Sequence, residues 1–169
     1  MDNMTKEERE ACYPYPRMLK FNPNTDEIRA LSLKEPYATL MLHDKIETRR
    51  RPTSYRGWVL ICASKVPYSD EAIRQISGYD TYSSIFTRLG YHLDNSITDN
   101  KGKAIAIGYL SECRMMRESD ADRCFVLFNR GIYCYIFEHV QQIEPFEWKG
   151  TQGWKTLTHE QKQLIQLKP

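Results

Sequence analysis

Five short apolar segments, unevenly spaced along the chain, most constrain what it can fold into. Each is rich in aliphatic, β-branched or aromatic residues and is bounded by polar or turn-forming residues, which is typical of strands. The segments are 29–33, 58–63, 104–110, 124–128 and 132–140. The sequence Asn129-Arg-Gly131 predicts a tight turn between the last two. Helical patterns do not alternate regularly with these strands, which argues against a doubly wound parallel sheet.

The remaining segments predict short helices and polar loops around the sheet. Pro36 stands at the expected first helical position, where its missing N–H costs nothing, and Ser69 is a candidate N-cap. Helices are expected over 36–43, 69–79, 83–92 (ending at Gly90) and 159–167, a polar turn or short helix over 118–123, and loops over 52–57, 94–103 and 145–153. Together these elements predict an α+β fold, in which a curved antiparallel sheet closes into a small β-barrel with flanking helices.

The length of 169 residues suits one domain. Residues 1–27 are polar and proline-spotted, so we expect a tail or strap there, followed by a domain over 28–169. Tyr13, Tyr15 and Phe21 are candidates for attaching this tail to the surface. The net charge of +2 provides no global attraction to nucleic acid, so any such binding requires a local basic patch.

The apolar runs and the cysteines indicate the compartment. No run approaches the ~18 apolar residues of a membrane span, and the N-terminus lacks the apolar region of a signal peptide. We therefore expect an intracellular, cytoplasmic protein without a membrane partner. Cys62, Cys124 and Cys134 fall in apolar segments and are expected to be reduced core residues. The histidines are scattered and no CxxC pair occurs, so we expect neither a metal nor another cofactor.

The densest signal for function is the basic segment 43–57, which holds five of the chain's cations. In an extended chain, Lys45, Glu47, Arg49 and Arg51 share one face, while Ile46, Thr48 and Arg50 share the other. A carboxylate among cations fixes their side chains through charge-assisted hydrogen bonds, which leaves other cations free for a phosphate and the carboxylate free for a base amino group. The structural alternative is a solvated, charged edge strand that resists aggregation.

Several motifs resemble the ASCH (activating signal cointegrator homology) domain family. Leu31-Ser-Leu-Lys-Glu-Pro-Tyr-Ala is similar to its opening strand and helix, with Glu35 in place of a glutamine, and Ile46-Glu-Thr-Arg is similar to the second half of its Gly-x-Lys-x-x-Glu-x-Arg motif. Tyr55-Arg-Gly57, Ala63-Ser-Lys65, Gly108 and the segment 145–154 also resemble the family, so the resemblance covers about 28–156. One departure is that Lys45 precedes Glu47 by two residues instead of three.

The resemblance implies a PUA-like β-barrel with a cleft between barrel and helices, similar to modules that bind RNA or modified bases. It implies a binding module for RNA, a nucleotide or a modified nucleoside, in which Arg49 and Lys45 contact phosphate or carbonyl oxygens, Glu47 contacts a base edge and Tyr37 stacks. The expected ligand-binding residues are Tyr37, Lys45, Glu47, Arg49, Arg50, Tyr55, Arg56, Lys65 and Trp154. Tyr37 is equally consistent with a core aromatic, and Lys65 with an ordinary surface lysine.

Three other functions stay open. A bacterial branch of the family hydrolyses N4-acetylcytidine, and Lys45, Thr48 and a distant acid, Glu118 or Glu112, would be the catalytic residues of such an amidohydrolase here. Strand alternation opposes this alternative, because it places Lys45 and Thr48 on opposite faces unless a bulge intervenes. The resemblance also permits a ribonuclease, although no histidine pair is placed as acid and base. Finally, the basic segment could meet an acidic protein partner.

Overall fold

In a computed structural model, residues 21–78, 80–89 and 100–169 are described, and within them one sheet of six strands forms the centre of the fold. The strands are β1 (Ile28–Leu33), β2 (Glu47–Arg49), β3 (Gly57–Ala63), β4 (Lys103–Met115), β5 (Tyr133–Glu147) and β6 (Lys155–Thr156). Their order across the sheet is β2-β5-β4-β3-β1-β6. The long strands β4 and β5 connect the short edge strand β2 to β3 and β1, so the basic segment and the first strand belong to one sheet.

The sheet is curled into a half-barrel and is flanked by short helices, which confirms the α+β fold class. The pairing departs from the expectation at one place, because β1 and β3 run parallel while the other paired strands are antiparallel. A parallel pair needs a long connection, and the first helix together with β2 provides it.

Five short helices lie around this sheet in the described residues. They are α1 (Tyr37–Leu40), α2 (Asp70–Ser77), α3 (Tyr82–Arg88), α4 (Ala121–Cys124) and α5 (His159–Lys162). A 3-10 turn, Met41–His43, extends α1 over the predicted length, and Pro36 is its N-cap, one residue before the expected position. The Ser69 hydroxyl caps α2 by accepting a hydrogen bond from the Ala72 N–H, as predicted, and Gly78 ends that helix in the left-handed conformation.

The two faces of the sheet bury different clusters. One face packs Leu31, Val59 and Ile61 against Ala38 and Met41 of the first helical segment. The other face packs Ile28 and Leu60 with the C-terminal residues Leu157 and Ile165. Alternate residues of β1 and β3 thus point to opposite faces, and both faces are covered. The cleft described below opens on the face that carries α1.

The predicted strand over 124–128 is wrong. Cys124 ends α4, and Phe125 adopts a left-handed conformation with φ of 55°, after which the chain is irregular. Most apolar side chains of this segment are at least partly buried without forming a strand. Phe125 packs with the buried residues of α2 and α3, and Val126 packs both with these and with Ile46. Burial explains the apolar pattern here, and a strand does not. The turn at 130–131 is present, but it leads into β5 from a loop.

Strand β5 continues beyond the predicted end at residue 140, and the C-terminal helix α5 ends earlier than predicted. Pro145 lies inside β5, at a register shift between the pairs of Ala104 and Ala106, so its missing N–H removes no regular ladder bond. Part of the expected loop over 145–153 is therefore strand. The helix capped by Thr158 ends at Lys162, and Leu167 instead forms a bridge with Ile143.

Some expectations lie wholly or partly outside the described residues. Tyr13, Tyr15, Gly90 and most of the loop over 94–103 fall there, and the boundary between tail and domain stays a prediction. Phe21, at the end of the expected tail, contacts Trp58 edge-to-face with ring centroids 5.7 Å apart. Cys62, Cys124 and Cys134 are free and buried. No helix in the described part of the chain is long and apolar enough to span a membrane.

Candidate functional site

An open cleft of about 210 Å³ lies where the end of β1, the strand β2 and the start of α1 meet. Its walls come from four parts of the chain that are distant in sequence. The lining residues are Ser32, Leu33, Lys34, Tyr37, Lys45, Glu47, Thr48, Arg49, Tyr68, Ile76 and Val126. The structure therefore brings together five of the residues expected from the sequence: Tyr37, Lys45, Glu47, Thr48 and Arg49.

A chain of ion pairs, Lys45–Glu47–Arg49, forms the charged side of this cleft. The Lys45 ammonium pairs with Glu47 Oε2, and Arg49 Nε donates to Glu47 Oε1 at 3.1 Å. The side chains of Lys45 and Glu47 are only 1% and 9% exposed, whereas that of Arg49 is 31% exposed. A buried carboxylate between two cations is held in one orientation, because each oxygen already accepts a charge-assisted hydrogen bond.

Local backbone structure explains why these three side chains meet. Asp44 takes a left-handed conformation with φ of 61°, which ends the 3-10 turn and redirects the chain into β2. The backbone N–H of Ile46 then donates to Arg123 O, and the Ile46 side chain packs with Cys124 and Cys134 in a buried cluster. Alternation along the strand turns the charged residues toward the cleft.

Arg49 ties the two walls of the cleft together. Its Nη2 donates to the Ser32 carbonyl at 2.9 Å while its Nε is bound to Glu47. A guanidinium has five N–H groups, so three remain after these two bonds. Arg49 is thus fixed in place and still able to donate into the cleft.

Tyr37 forms an inner wall of the cleft. It is buried, its hydroxyl donates to Phe125 O at 2.9 Å, and the Lys45 ammonium lies 4.9 Å from the centre of its ring. Tyr68 meets the same ring edge-to-face at 5.7 Å. Burial, with smaller contributions from nearby groups, raises the pKa of the Tyr37 hydroxyl, so the phenol stays neutral. Its surroundings correspond to the core alternative more than to an exposed stacking platform.

Six of the lining residues were not expected from the sequence, and Lys34 and Tyr68 are two of them. Lys34 is exposed and its ammonium lies 5.1 Å from the centre of the Tyr68 ring. The Tyr68 backbone N–H donates to Glu35 O at 2.9 Å, which holds the start of α2 against the loop before α1. Tyr68 stands directly before the cap of α2, but no local pattern indicates that this helix packs against α1.

Glu35 supports the cleft from within the core. Its carboxylate is fully buried and accepts hydrogen bonds from the Thr39 N–H at 3.0 Å and the Thr39 hydroxyl at 2.7 Å. Burial raises the pKa of Glu35 to about 7, and the two bonds from Thr39 oppose this shift only in part. Glu35 therefore links the start and the interior of α1, below Lys34.

The other expected ligand-binding residues lie outside the cleft lining. Arg50 and Arg56 are exposed, and the Arg56 guanidinium donates to the carbonyls of Thr53 and Tyr55. Tyr55 donates to Trp58 O at 2.7 Å and packs against Trp154, with ring centroids 5.5 Å apart. Lys65 is exposed and packs beside Gly102.

The acids expected for an amidohydrolase are also placed elsewhere. Glu118 is exposed in a 3-10 turn before α4, and Glu112 forms an ion pair with Arg114 at 3.6 Å. Neither lines the cleft with Lys45 and Thr48. Thr48 itself stands opposite Cys134 in the pairing of β2 with β5. In the described residues, no group of three or more His, Cys, Asp and Glu side chains is arranged to hold a metal ion.

One solved structure provides the decisive comparison for the fold. The crystal structure of ASCH from Zymomonas mobilis superposes with a TM-score of 0.50, covering 80% of this chain and 91% of that chain. The chain has an ASCH-like fold. The sequence identity is 15%, so the similarity concerns the architecture. No family model and no curated protein matches the sequence. The cleft of this ASCH-like fold lies between the curled sheet and its helices.

Proposed function

We propose that the cleft binds the base of a nucleotide, a modified nucleoside or an RNA residue. The observation that carries this proposal is the Glu47 carboxylate, buried and fixed between Lys45 and Arg49 in a cleft with an aromatic wall. An ionised carboxylate offers about four lone-pair sites, of which the two cations use two. The remaining sites can accept hydrogen bonds from the amino or imino groups of a base.

The remaining groups of the cleft complement other parts of such a ligand. The free N–H groups of Arg49 suit a base carbonyl or a phosphate oxygen, because guanidinium donors match both. Tyr68 offers an aromatic surface, and the exposed Lys34 beside it offers a cation for a phosphate. The volume of about 210 Å³ lies below the ~300–1,000 Å³ of drug-sized ligand sites, which favours a single base over a larger group.

Amide hydrolysis is the alternative for the same cleft, and it is favoured by the presence of both Lys45 and Thr48 in the lining. The contacts of Lys45 oppose it. Its ammonium is paired with Glu47 and lies over the Tyr37 ring, so both contacts would have to break before Lys45 could attack a substrate. Glu118, the expected distant acid, is outside the cleft. We therefore expect binding without turnover.

The experiment is isothermal titration of the protein with the four common nucleosides, their 5′-monophosphates and N4-acetylcytidine. We expect at least one of them to bind, and Glu47→Gln to weaken that binding about tenfold or more, because a lost hydrogen bond to a charged group is worth about 1.5–3 kcal/mol. Arg49→Lys keeps the positive charge but loses the planar set of guanidinium N–H donors, so it is expected to weaken ligand binding as well.

Lys168→Ala is the control. This substitution also removes one charge, but Lys168 is exposed near the C-terminus and lies outside the cleft lining. If none of these ligands binds, or if Glu47→Gln and Arg49→Lys bind as well as the unsubstituted protein, the proposed function is wrong. Chromatography of N4-acetylcytidine after incubation tests the alternative directly. Release of acetate that depends on Lys45 and Thr48 would replace binding by hydrolysis.

A further inference from the structure

A second surface of aromatic and basic residues begins where the cleft ends. It consists of Arg50 and Arg51, which follow β2 directly, together with Tyr55 and Trp154, and we call it the rim surface. Tyr55 and Trp154 pack against each other, and the Arg29 guanidinium lies 4.2 Å from the centre of the Tyr55 ring. None of these residues lines the cleft itself.

Two contacts place the rim surface next to the cleft. Tyr135 stands opposite Glu47 in the pairing of β2 with β5, and its ring stacks on Trp154 with parallel planes and centroids 6.1 Å apart. Trp154 is therefore one side chain away from Glu47. In addition, a Cβ added to Gly150 would lie 2.9 Å from the hydroxyl of Ser32, a residue that lines the cleft. The segment 150–154 therefore starts beside the end of β1.

Trp154 differs from the other two tryptophans in its exposure. Trp58 and Trp148 are 3% and 7% exposed and belong to the core, whereas Trp154 is only partly buried. The preceding Gly153 is exposed, and nothing lies within 4 Å of the position that its Cβ would take. Of the three tryptophans, Trp154 is therefore the one that solvent, and hence a ligand, can reach.

The cations of the rim surface are free to meet a phosphate. Arg50 and Arg51 are exposed, and within the described residues neither forms an ion pair with a carboxylate. The Arg51 carbonyl accepts the Tyr135 hydroxyl at 2.6 Å, which fixes the backbone beside the aromatic pair. Arg56 differs, because its guanidinium is bound to two carbonyls of its own loop.

From this arrangement we infer that the rim surface binds the nucleotide next to the one in the cleft, so that the partner is single-stranded RNA. One base enters the cleft, the neighbouring base stacks on Trp154, and Arg50 and Arg51 contact the phosphates between them. This inference rests on the proposed function of the cleft. Only unpaired bases can leave the strand to stack on a side chain, so a single strand fits and a duplex does not.

The test compares AMP with oligoadenylates of two to about six nucleotides, measured by titration and by quenching of tryptophan fluorescence. We expect the oligoadenylates to bind more tightly than AMP and to quench Trp154. Trp154→Ala is expected to weaken hexa-adenylate binding about 5- to 150-fold, since one stacked base is worth about 1–3 kcal/mol, and to affect AMP far less. Trp154→Phe keeps a stacking ring and should retain most of the affinity.

The double substitution Arg50→Ala with Arg51→Ala tests the phosphate contacts. The slope of log affinity against log salt for a single strand is about −0.7 per phosphate contact, so removing two contacts should reduce it by about 1.4. Lys168→Ala is the charge control and should leave the slope unchanged.

The outcomes separate the inference from the proposed function. Suppose that AMP binds in a manner that depends on Glu47. If hexa-adenylate then binds no more tightly than AMP, or if Trp154→Ala does not weaken hexa-adenylate binding, the inference is wrong and the proposed function stands. Equal binding of a double-stranded RNA would also overturn the inference. If no nucleotide and no oligoadenylate binds to the unsubstituted protein, both are wrong.

Discussion

At the scale of single residues, Glu47 is the centre of the candidate site. It forms ion pairs with both Lys45 and Arg49, and the three side chains become progressively more exposed from Lys45 to Arg49. The buried end of this chain holds the carboxylate in place, and the exposed end faces a ligand. The same carboxylate thus contributes to stability and to the proposed recognition.

Removing either partner of the buried pair should have unequal effects on stability. Glu47→Ala leaves the Lys45 ammonium buried without a counter-charge, so we expect the free energy of unfolding to fall by about 3 kcal/mol or more. Lys45→Met should cost less, because Glu47 keeps its bond from Arg49. Urea unfolding of both variants measures the difference. An equal or reversed order would show that Arg49 does not compensate for the loss of Lys45.

The buried Glu35 predicts a pH dependence of stability. Its pKa is raised from 4.5 to about 7 in the folded protein, so between these values the folded state binds more protons than the unfolded state. Stability from this group is therefore greatest below about 4.5 and is lost as the pH rises to about 7, by roughly 3 kcal/mol in all.

Glu35→Gln isolates that contribution, because an amide keeps partners for Thr39 but does not titrate in this range. We expect the stability of the variant relative to the unsubstituted protein to increase between about pH 5 and about pH 8 in urea unfolding. Comparing the two proteins cancels the titration of other groups, such as His43, whose pKa is lowered by burial. A constant difference across this range would contradict a raised pKa for Glu35.

At the scale of elements, α2 is the helix that completes the cleft. It contributes Ile76 to the lining, and the residue before its cap region, Tyr68, forms part of the aromatic wall. Its inner side packs Ile73 against Leu40 and Phe86. The cleft wall therefore depends on a helix of eight residues whose first turn is held by Ser69.

Two helix caps provide a matched pair of substitutions. Ser69→Ala and Thr158→Ala each remove a hydroxyl that accepts from the third helical N–H, in α2 and α5 respectively. Both should lower the free energy of unfolding by about 1 kcal/mol. Only Ser69→Ala should also increase amide exchange at Ile76 and weaken ligand binding, because α5 does not contribute to the cleft. Equal effects of both variants on binding would mean that α2 is not part of the site.

The limits of sequence-based prediction are also clearest at this scale. The alternation of Lys45, Glu47 and Arg49 was predictable because the period of a strand is local, and all three line the cleft. Thr48 lines it as well, although the same alternation assigned Thr48 to the opposite face. Lys34 and Tyr68 were not, because their approach depends on how α2 packs against the loop before α1. The segment 124–128 was misassigned because an apolar run records burial, and a buried irregular loop has the same composition as a short strand.

At the scale of the whole molecule, the curled sheet explains how distant segments form one surface. The register pairs β2 with β5, and the parallel pairing of β1 with β3 brings Ser32 to the same end. Arg49 then bridges β2 to β1 through the Ser32 carbonyl. The cleft, and the rim surface beside it, follow from this topology. With a net charge of only +2, the molecule relies on this local arrangement for any preference for nucleic acid.

The most direct test of the central claim is a nuclear magnetic resonance titration of isotope-labelled protein with nucleoside 5′-monophosphates. We expect the backbone signals of Ser32, Lys34, Glu47 and Tyr68 to shift together and saturate, while those of the C-terminal residues Leu157 and Ile165, on the opposite face of the sheet, stay in place. Saturating shifts that appear elsewhere and leave these four residues unchanged, or no shifts at high ligand concentration, would contradict the claim that this cleft binds a nucleotide.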